Sequence, residues 1–245
     1  MQRGSRIATS PLLFFGERIM IETTLLSPRL AHAATFIRAG AFLADVGTDH
    51  AYLPIALCLG GHIRGAVASD VNRGPIERAE ENIKKYSLEN KISLCHCDGL
   101  CGIERFSPTD ISILGMGGEL IVKILSAAPW TKNGSIRLCL QPMTHAEILR
   151  AYLSAEGYTV VDESIAVEDD KIYQLIAAEY TGAHDIYTDA ELLLGKINIR
   201  RKAPELTRLA EHHIAVLTRR VGGKTSAGAS ADDEQILIDE IKKVL

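Results

Sequence analysis

Four short runs of this chain carry residues suited to gripping a polar small molecule. They are Asp45-Val46-Gly47-Thr48-Asp49-His50, Asp70-Val71, Asp98-Gly99 and Gly115-Met116-Gly117. Gly47 has no Cβ, so the backbone there can turn tightly and approach a ligand. Asp70 follows Asp45 by 25 residues. A carboxylate at that point can accept hydrogen bonds from both hydroxyls of a ribose, and one at Asp98 from an adenine amine. Gly115, Met116 and Gly117 would then border the reacting groups. Taken singly, each aspartate reads better as a helix cap or turn residue than as a ligand contact. Taken in order, the four runs describe the contacts of one adenosyl ligand.

The elements that must position them alternate. Ser27-Pro28 opens a helix that Gly40 closes, and Ala41 to Val46 is a short apolar strand. Pro54 marks the start of a second helix, Gly65 to Val71 is a strand, and Gly74-Pro75 opens a helix with Ile76, Ala79 and Ile83 on one face. Residues 92–97 and 110–114 read as strands, 119–128 as a helix, 136–140 as a strand and 144–156 as a helix with Thr144 as its cap. Two longer strands, 158–167 and 171–180, then follow with only the turn Glu168-Asp169-Asp170 between them. Five βα units ending in a hairpin predict a mostly parallel seven-stranded sheet with a terminal antiparallel hairpin. Ligands of such α/β sheets bind outside the carboxyl ends of the strands, and that edge is where the four runs fall.

Past residue 182 the pattern turns helical. Thr188 and Glu191 form a capping box, 204–221 reads as one amphipathic helix, Gly222 to Ser230 as a flexible linker and 232–245 as a last helix. The sequence therefore divides into an extension at 1–24, expected to be disordered, a ligand-binding domain at 25–182, and a small coiled-coil-like helical domain at 183–245. Met20 is a second candidate start. The net charge of −4 does not mark a nucleic-acid binder, but it is unevenly spread. Residues 196–224 hold eight basic side chains against two acidic ones, on a body that is otherwise acidic. Such a stretch is either a solvated helix face or an RNA contact, and the acidic body makes the second reading the stronger. Five cysteines without a secretory signal point to reduced thiols in a cytosol. Cys95-His96-Cys97 with Cys101 fits no standard zinc spacing. No apolar run reaches the roughly 18 residues of a membrane span.

The terminal hairpin and the order of strand-end residues resemble class I methyltransferases. An NAD-linked oxidoreductase is disfavoured by the absence of the full G-x-G-x-x-G run. More specifically, Asp45-Val46-Gly47-Thr48-Asp49-His50-Ala51-Tyr52-Leu53-Pro54 is similar to the signature of the bacterial tRNA (adenine(22)-N(1))-methyltransferase family. So are Leu26-Ser27-Pro28-Arg29-Leu30, Asn72-Arg73-Gly74-Pro75, Asp98-Gly99-Leu100, Gly115-Met116-Gly117-Gly118, Leu140-Gln141-Pro142 and Glu168-Asp169-Asp170-Lys171-Ile172-Tyr173. The match covers about residues 25–180. The chain departs from the family in Thr48, commonly Ser, in Asp70, often Glu, and in a short C-terminal segment.

The resemblance implies an α/β protein of the class I Rossmann-like methyltransferase fold. It implies S-adenosylmethionine as cofactor, S-adenosylhomocysteine as product, and methylation of N1 of adenine 22 in the D-arm of tRNA. No Asn-Pro-Pro-Tyr type motif follows the fourth strand, which agrees with a ring-nitrogen target. Cofactor contacts are expected from Arg29, Asp45, Gly47, Thr48, Asp49, His50, Asp70, Val71, Asp98, Gly99, Gly115, Met116 and Gly117. Asp49, His50 and Tyr52 are the catalytic candidates. Asp49 is read as stabilising the cationic product, or as a cofactor contact or helix cap. His50 is read as orienting Asp49 or as a structural histidine, and Tyr52 as stacking on the target adenine or as a core aromatic. RNA contacts are expected from Arg29, Lys196, Arg200, Arg201, Lys202, Arg208, Arg219 and Arg220. The expected state is a cytoplasmic monomer, with no metal and no membrane. A methyltransferase for another acceptor and a non-catalytic RNA-binding scaffold remain as alternatives.

Overall fold

The computed structural model describes residues 25–245, so the expected extension at 1–24 lies outside the described residues. Helix α1 (Pro28–Phe36) starts with Pro in its first turn and buries Ala33, Ala34 and Phe36. The Ser27 hydroxyl makes no capping bond, so the start rests on the φ that proline presets. The helix stops at Phe36, and Gly40 serves instead the turn before the first strand, at φ +73°.

The core is one seven-stranded sheet of order β3-β2-β1-β4-β5-β7-β6. Its strands are β1 (Phe42–Val46), β2 (Gly65–Asp70), β3 (Ile92–His96), β4 (Asp110–Met116), β5 (Arg137–Pro142), β6 (Tyr158–Glu168) and β7 (Lys171–Tyr180). The first five are parallel, and β7 runs antiparallel to both β5 and β6. The predicted hairpin is therefore present. Its second strand is inserted between the first and β5, so that β6 becomes the edge.

Side chains alternate along each strand to fill two apolar layers. On one face Leu43, Ala66, Ala68, Leu175 and Ala177 pack under α1, α2 (Tyr52–Leu59) and α3 (Arg73–Lys85). On the other, Ala44, Val67, Ile111, Ile113, Leu138 and Leu140 pack under α4 (Gly118–Ser126) and α5 (Ala146–Ala155). Helix α5 begins later than the sequence suggests. The Thr144 carbonyl is taken by the Gly118 N–H at 2.8 Å, and His145 caps α5 from a left-handed conformation, φ +56°.

The C-terminal part comprises α6 (Asp189–Leu194), α7 (Lys196–Arg201), α8 (Leu206–Ser226) and α9 (Asp232–Lys243). Leu194, Leu206, Leu209, Leu217, Ile238 and Ile241 form a third core that reaches Ile165 of β6. The expected linker is corrected here. Helix α8 continues through Gly222 and Gly223 to Ser226, leaving a short turn before α9. Two glycines cost a helix roughly 1 kcal/mol each. Packing of Val221 and Leu217 on α9 and the Lys224–Glu234 ion pair (2.6 Å) offset that cost.

A buried ion pair attaches these helices to the sheet. Arg150 Nε donates to Glu163 Oε1 at 2.7 Å, and both side chains are fully buried. The remaining donors of Arg150 reach Leu192 O (2.7 Å) and Gln174 Oε1 (2.8 Å), while Glu163 Oε2 accepts from the Ile197 N–H at 2.8 Å. Every arm of the pair is thus used, which a buried charge requires.

Candidate active site

The parallel order reverses direction between β1 and β4, and the crevice outside their carboxyl ends is the expected ligand site of such a sheet. Gly47 leaves β1 at φ +76°, and a Cβ there would lie 2.1 Å from Met116 Cε. The N–H groups of Gly47 and Thr48 both donate to the Ser69 carbonyl, at 2.8 and 2.9 Å. The loop after β1 is thereby pinned to the end of β2. It enters α2 through Ala51, buried and left-handed at φ +55°, a strained non-glycine conformation of the sort held at functional loops.

The predicted residues divide by what they face. Asp45 turns into the sheet, where its Oδ1 accepts from Ser112 Oγ at 2.7 Å. Burial pushes its carboxyl above the ordinary range, opposed by the Ser112 and Thr48 hydroxyls and the charge of Arg29. Asp45 braces β1 against β4 from beneath the crevice. Thr48 is buried, with its hydroxyl beside the Asp45 carboxyl. Asp70 ends β2 half-exposed, with Oδ1 accepting the Asn72 N–H at 2.7 Å, and Val71 beside it is exposed. Asp98 is exposed one strand further along. Gly99, at φ +54°, lies so close to Ile124 that a Cβ would come within 3.2 Å.

On the other side of the crevice, the β4–β5 register shifts between Leu114 and Met116, with Gly115 at φ +76°. This bulge turns the Gly115 N–H onto Gln141 Oε1 at 3.1 Å. Arg29 Nη1 donates to the same oxygen at 2.9 Å, and its guanidinium lies 5.7 Å from the centre of the Tyr173 ring. The Met116 carbonyl accepts the Met143 N–H at 2.8 Å. Gly117 caps α4, and a Cβ on Gly118 would stand 2.2 Å from the His145 carbonyl oxygen.

Asp49, His50 and Tyr52 are brought together. The His50 and Tyr52 rings stack at 5.1 Å with 13° between their planes. Asp49 is exposed, contacts His50 Nε2 at 3.3 Å and accepts two bonds from Arg78 of α3, one of them at 3.0 Å. Its charge is therefore already partnered. The basic stretch is not gathered at the crevice. Lys196 donates to Ile186 O (3.0 Å) and lies over the Tyr187 ring, and Arg201 pairs with Asp162. Arg200, Lys202, Arg208, Arg219 and Arg220 are exposed and make no ion pair among the described residues.

Ser69, Ser112, Arg78 and the Arg150–Glu163 pair escaped the sequence reading, and Gln141 entered it only within the Leu140-Gln141-Pro142 run, with no role assigned. Gln141 and Arg150 left a trace, as a polar residue closing an apolar strand and as a charge on the same helix face as Ala146 and Leu153. The cysteines are free, and Cys97 lies beside Cys95. Cys95 is buried, Cys101 is exposed, and burial pushes the Cys97 thiol up to about 12. Among the described residues no three His, Cys, Asp or Glu side chains could hold a metal ion, and no helix is long and apolar enough to cross a membrane.

A ligand with a ribose diol and an amino-bearing purine fits this set. It would meet carboxylates at successive strand ends and a glycine turn with no side chain in the way. Comparison with known proteins points the same way. Residues 26–176 match the family model described as a methyltransferase domain. The tRNA (adenine(22)-N(1))-methyltransferase of Bacillus subtilis (strain 168) is 39% identical over 172 residues, 70% of this chain and 72% of that protein. The crystal structure of the B. subtilis M1A22 tRNA methyltransferase TrmK superposes with a TM-score of 0.80 at 33% identity, covering 89% of this chain and 98% of that one. The structure of M. capricolum TrmK in complex with S-adenosyl-homocysteine superposes with a TM-score of 0.76 at 26% identity, covering 89% and 97%.

Proposed function

The chain belongs to the tRNA (adenine(22)-N(1))-methyltransferase family, and we propose that the crevice between β1 and β4 is where it transfers the methyl group. It is an enzyme that uses S-adenosylmethionine to methylate N1 of adenine 22 in tRNA. The observation that carries the site assignment is the ordered set Gly47, Asp70, Asp98 and Gly115 at the carboxyl ends of β1 to β4.

Bound there, S-adenosylmethionine supplies a sulfonium methyl group that is already electrophilic. The work left to the protein is alignment and the exclusion of water. Asp70 holds the ribose hydroxyls and Asp98 the adenine amine, while Gly47 and Thr48 accept the ligand close to the backbone. Gly115 to Gly117, with Arg29 fixed above Gly115 by Gln141, form the wall beside which N1 of the target adenine must come to rest. Asp49 faces the charge that appears on the methylated adenine, and a carboxylate so placed stabilises it until the amino group gives up a proton. To do so Asp49 must loosen its hold on Arg78. Arg200, Lys202, Arg208, Arg219 and Arg220 supply the phosphate contacts, which makes RNA affinity strongly salt-dependent. We assign residues 25–182 to catalysis and 183–245 to RNA binding, in a cytoplasmic monomer.

Transfer of radiolabelled methyl from S-adenosylmethionine to unmodified tRNA transcripts tests this function. Label should enter a transcript with adenine 22, arrest reverse transcriptase there, and be absent when guanine replaces that adenine. Equal labelling of both transcripts would move the target elsewhere. Cofactor binding with no label on any tRNA would overturn the substrate.

A further inference from the structure

A cavity beside the site described above shares Met143 and Tyr173 with its rim. It holds about 720 Å³ and separates the C-terminal helices from the β7 and β5–α5 side of the sheet. That volume lies within the roughly 300–1,000 Å³ of small-ligand pockets. Its floor is apolar, with Leu192, Leu209 and Leu217. Rings flank it, Tyr173 and His145 from the sheet side and His212 and His213 from α8. His213 Nε2 is buried with no hydrogen-bond partner. Burial takes the His213 pKa down to about 4, so the ring is neutral and can offer one hydrogen bond to the edge of a heterocycle. Cations stand on both sides, Arg220 further along α8 and Lys171 at the start of β7. Three carboxylates also line it, Glu147, Asp170 and Asp189, of which Glu147 is held by His145 Nδ1 at 3.0 Å.

The cavity shares a wall with the methyl-transfer crevice. The segment Pro142–His145 forms its wall, and the same segment is bonded to the crevice rim through Met143 N–H to Met116 O and Gly118 N–H to Thr144 O, both 2.8 Å. We propose that this cleft receives an unstacked nucleotide of the RNA adjacent to the methylated adenine, with its base between the flanking rings and its phosphate toward Arg220. The inference rests on the tRNA methyltransferase reading and adds a second contact to it. Everting a base from a folded RNA leaves its neighbour without a stacking partner. Unpaired bases are characteristically taken up by aromatic, imidazole and guanidinium planes. A peptide or lipid would use the apolar floor but would leave the neutral imidazole and the flanking cations without a purpose.

Two variants of the full chain test the assignment. Val216→Trp fills the cleft from α8, and His212→Ala with Arg220→Ala strips two exposed side chains from its edge. Each should raise KM for unmodified tRNA roughly tenfold. Affinity for S-adenosylhomocysteine, measured by calorimetry, should stay within about twofold of the parent. The occupant is identified with transcripts made abasic on one or the other side of adenine 22. One of them should lose the same factor with the parent enzyme and lose nothing further with Val216→Trp, the non-additivity expected of partners in one contact. A KM unchanged in both variants, or strictly additive losses for both abasic transcripts, would overturn the proposal while labelling of adenine 22 by the parent enzyme leaves the catalytic reading standing. Absence of label with the parent enzyme overturns that reading and this one with it.

Discussion

Arg29 and Gln141 are 112 positions apart in sequence, and their side chains meet at 2.9 Å on the rim of the crevice. The Gln141 oxygen that receives Arg29 also receives the Gly115 N–H, and its Nε2 donates to Pro142 O at 3.0 Å. The amide is held at both ends, so it can point only one way. One buried side chain thus fixes the bulge of β4 and the guanidinium above it.

Replacing Gln141 with Leu should therefore injure both stability and catalysis. The Gly115 N–H loses its acceptor, at a cost of about 1–3 kcal/mol, which urea denaturation would register. Arg29 loses its anchor, and the single-turnover methylation rate should fall by about tenfold or more. An unchanged rate in a folded variant would show that the bulge and Arg29 hold their places without it.

Asp49→Ala should lower the single-turnover rate by about 100-fold, with S-adenosylhomocysteine affinity little changed. Arg78→Ala removes only an exposed ion pair, worth about 1 kcal/mol or less, and should change the rate far less. If Asp49→Ala instead weakens S-adenosylhomocysteine and spares the rate at saturating cofactor, the carboxylate is a cofactor ligand and not a partner of the product charge.

At Gly47 an alanine would suffer twice. Its φ of +76° costs a non-glycine residue about 1 kcal/mol or more, and its Cβ displaces the Met116 methyl into the crevice. Gly47→Ala should lose more activity than its drop in Tm explains. Adding Met116→Ala should restore part of the activity and none of the stability. Parallel recovery of both would place the whole cost in the clash.

Folding stability should also carry the signature of His213. Burial is the main reason its pKa falls from 6.5 to about 4, with the neighbouring His212, Arg150 and Arg220 acting in the same direction and Glu147 against. The unfolded chain therefore takes up the proton first. Stability from the neutral ring is complete above about pH 6.5 and is lost as pH falls toward 4, by at most on the order of 2–3 kcal/mol. Urea titrations of the parent and of His213→Leu between those limits should diverge, the variant being the flatter. Identical slopes would mean that the ring hydrates freely.

The parts legible in the sequence were those set by neighbours along the chain. Periodicity marked the strands, and Gly47, Asp70, Asp98 and Gly115 stood at their ends because the chain turns there. Asp45 was visible as a strand-end acid, but its inward direction depends on Ser112, which only the pairing of β1 with β4 brings beside it. Arg78 and Gln141 act through partners 29 and 112 positions away, so the run Leu140-Gln141-Pro142 could be seen without its role, and Arg78 not at all. Gly222 and Gly223 misled for the same reason. Their composition says linker, and the packing of α9 on α8, with Lys224 on Glu234, says helix.

The buried Arg150–Glu163 pair has a consequence for how the substrate must behave. It joins α5 and β6 to the carbonyl of Leu192 and the N–H of Ile197, that is, to both helices at the root of the C-terminal part. Swinging those helices away from the sheet would break the hydrogen bonds from Arg150 to the Leu192 carbonyl and from the Ile197 N–H to Glu163, each made to a charged group and worth about 1.5–3 kcal/mol. The distance between the basic face and the methyl-transfer crevice is thus a fixed gauge. If the basic face holds RNA as proposed above, an RNA that fits that gauge would do so by deforming itself, and selection among RNAs would follow how cheaply each one bends and opens at the target adenine.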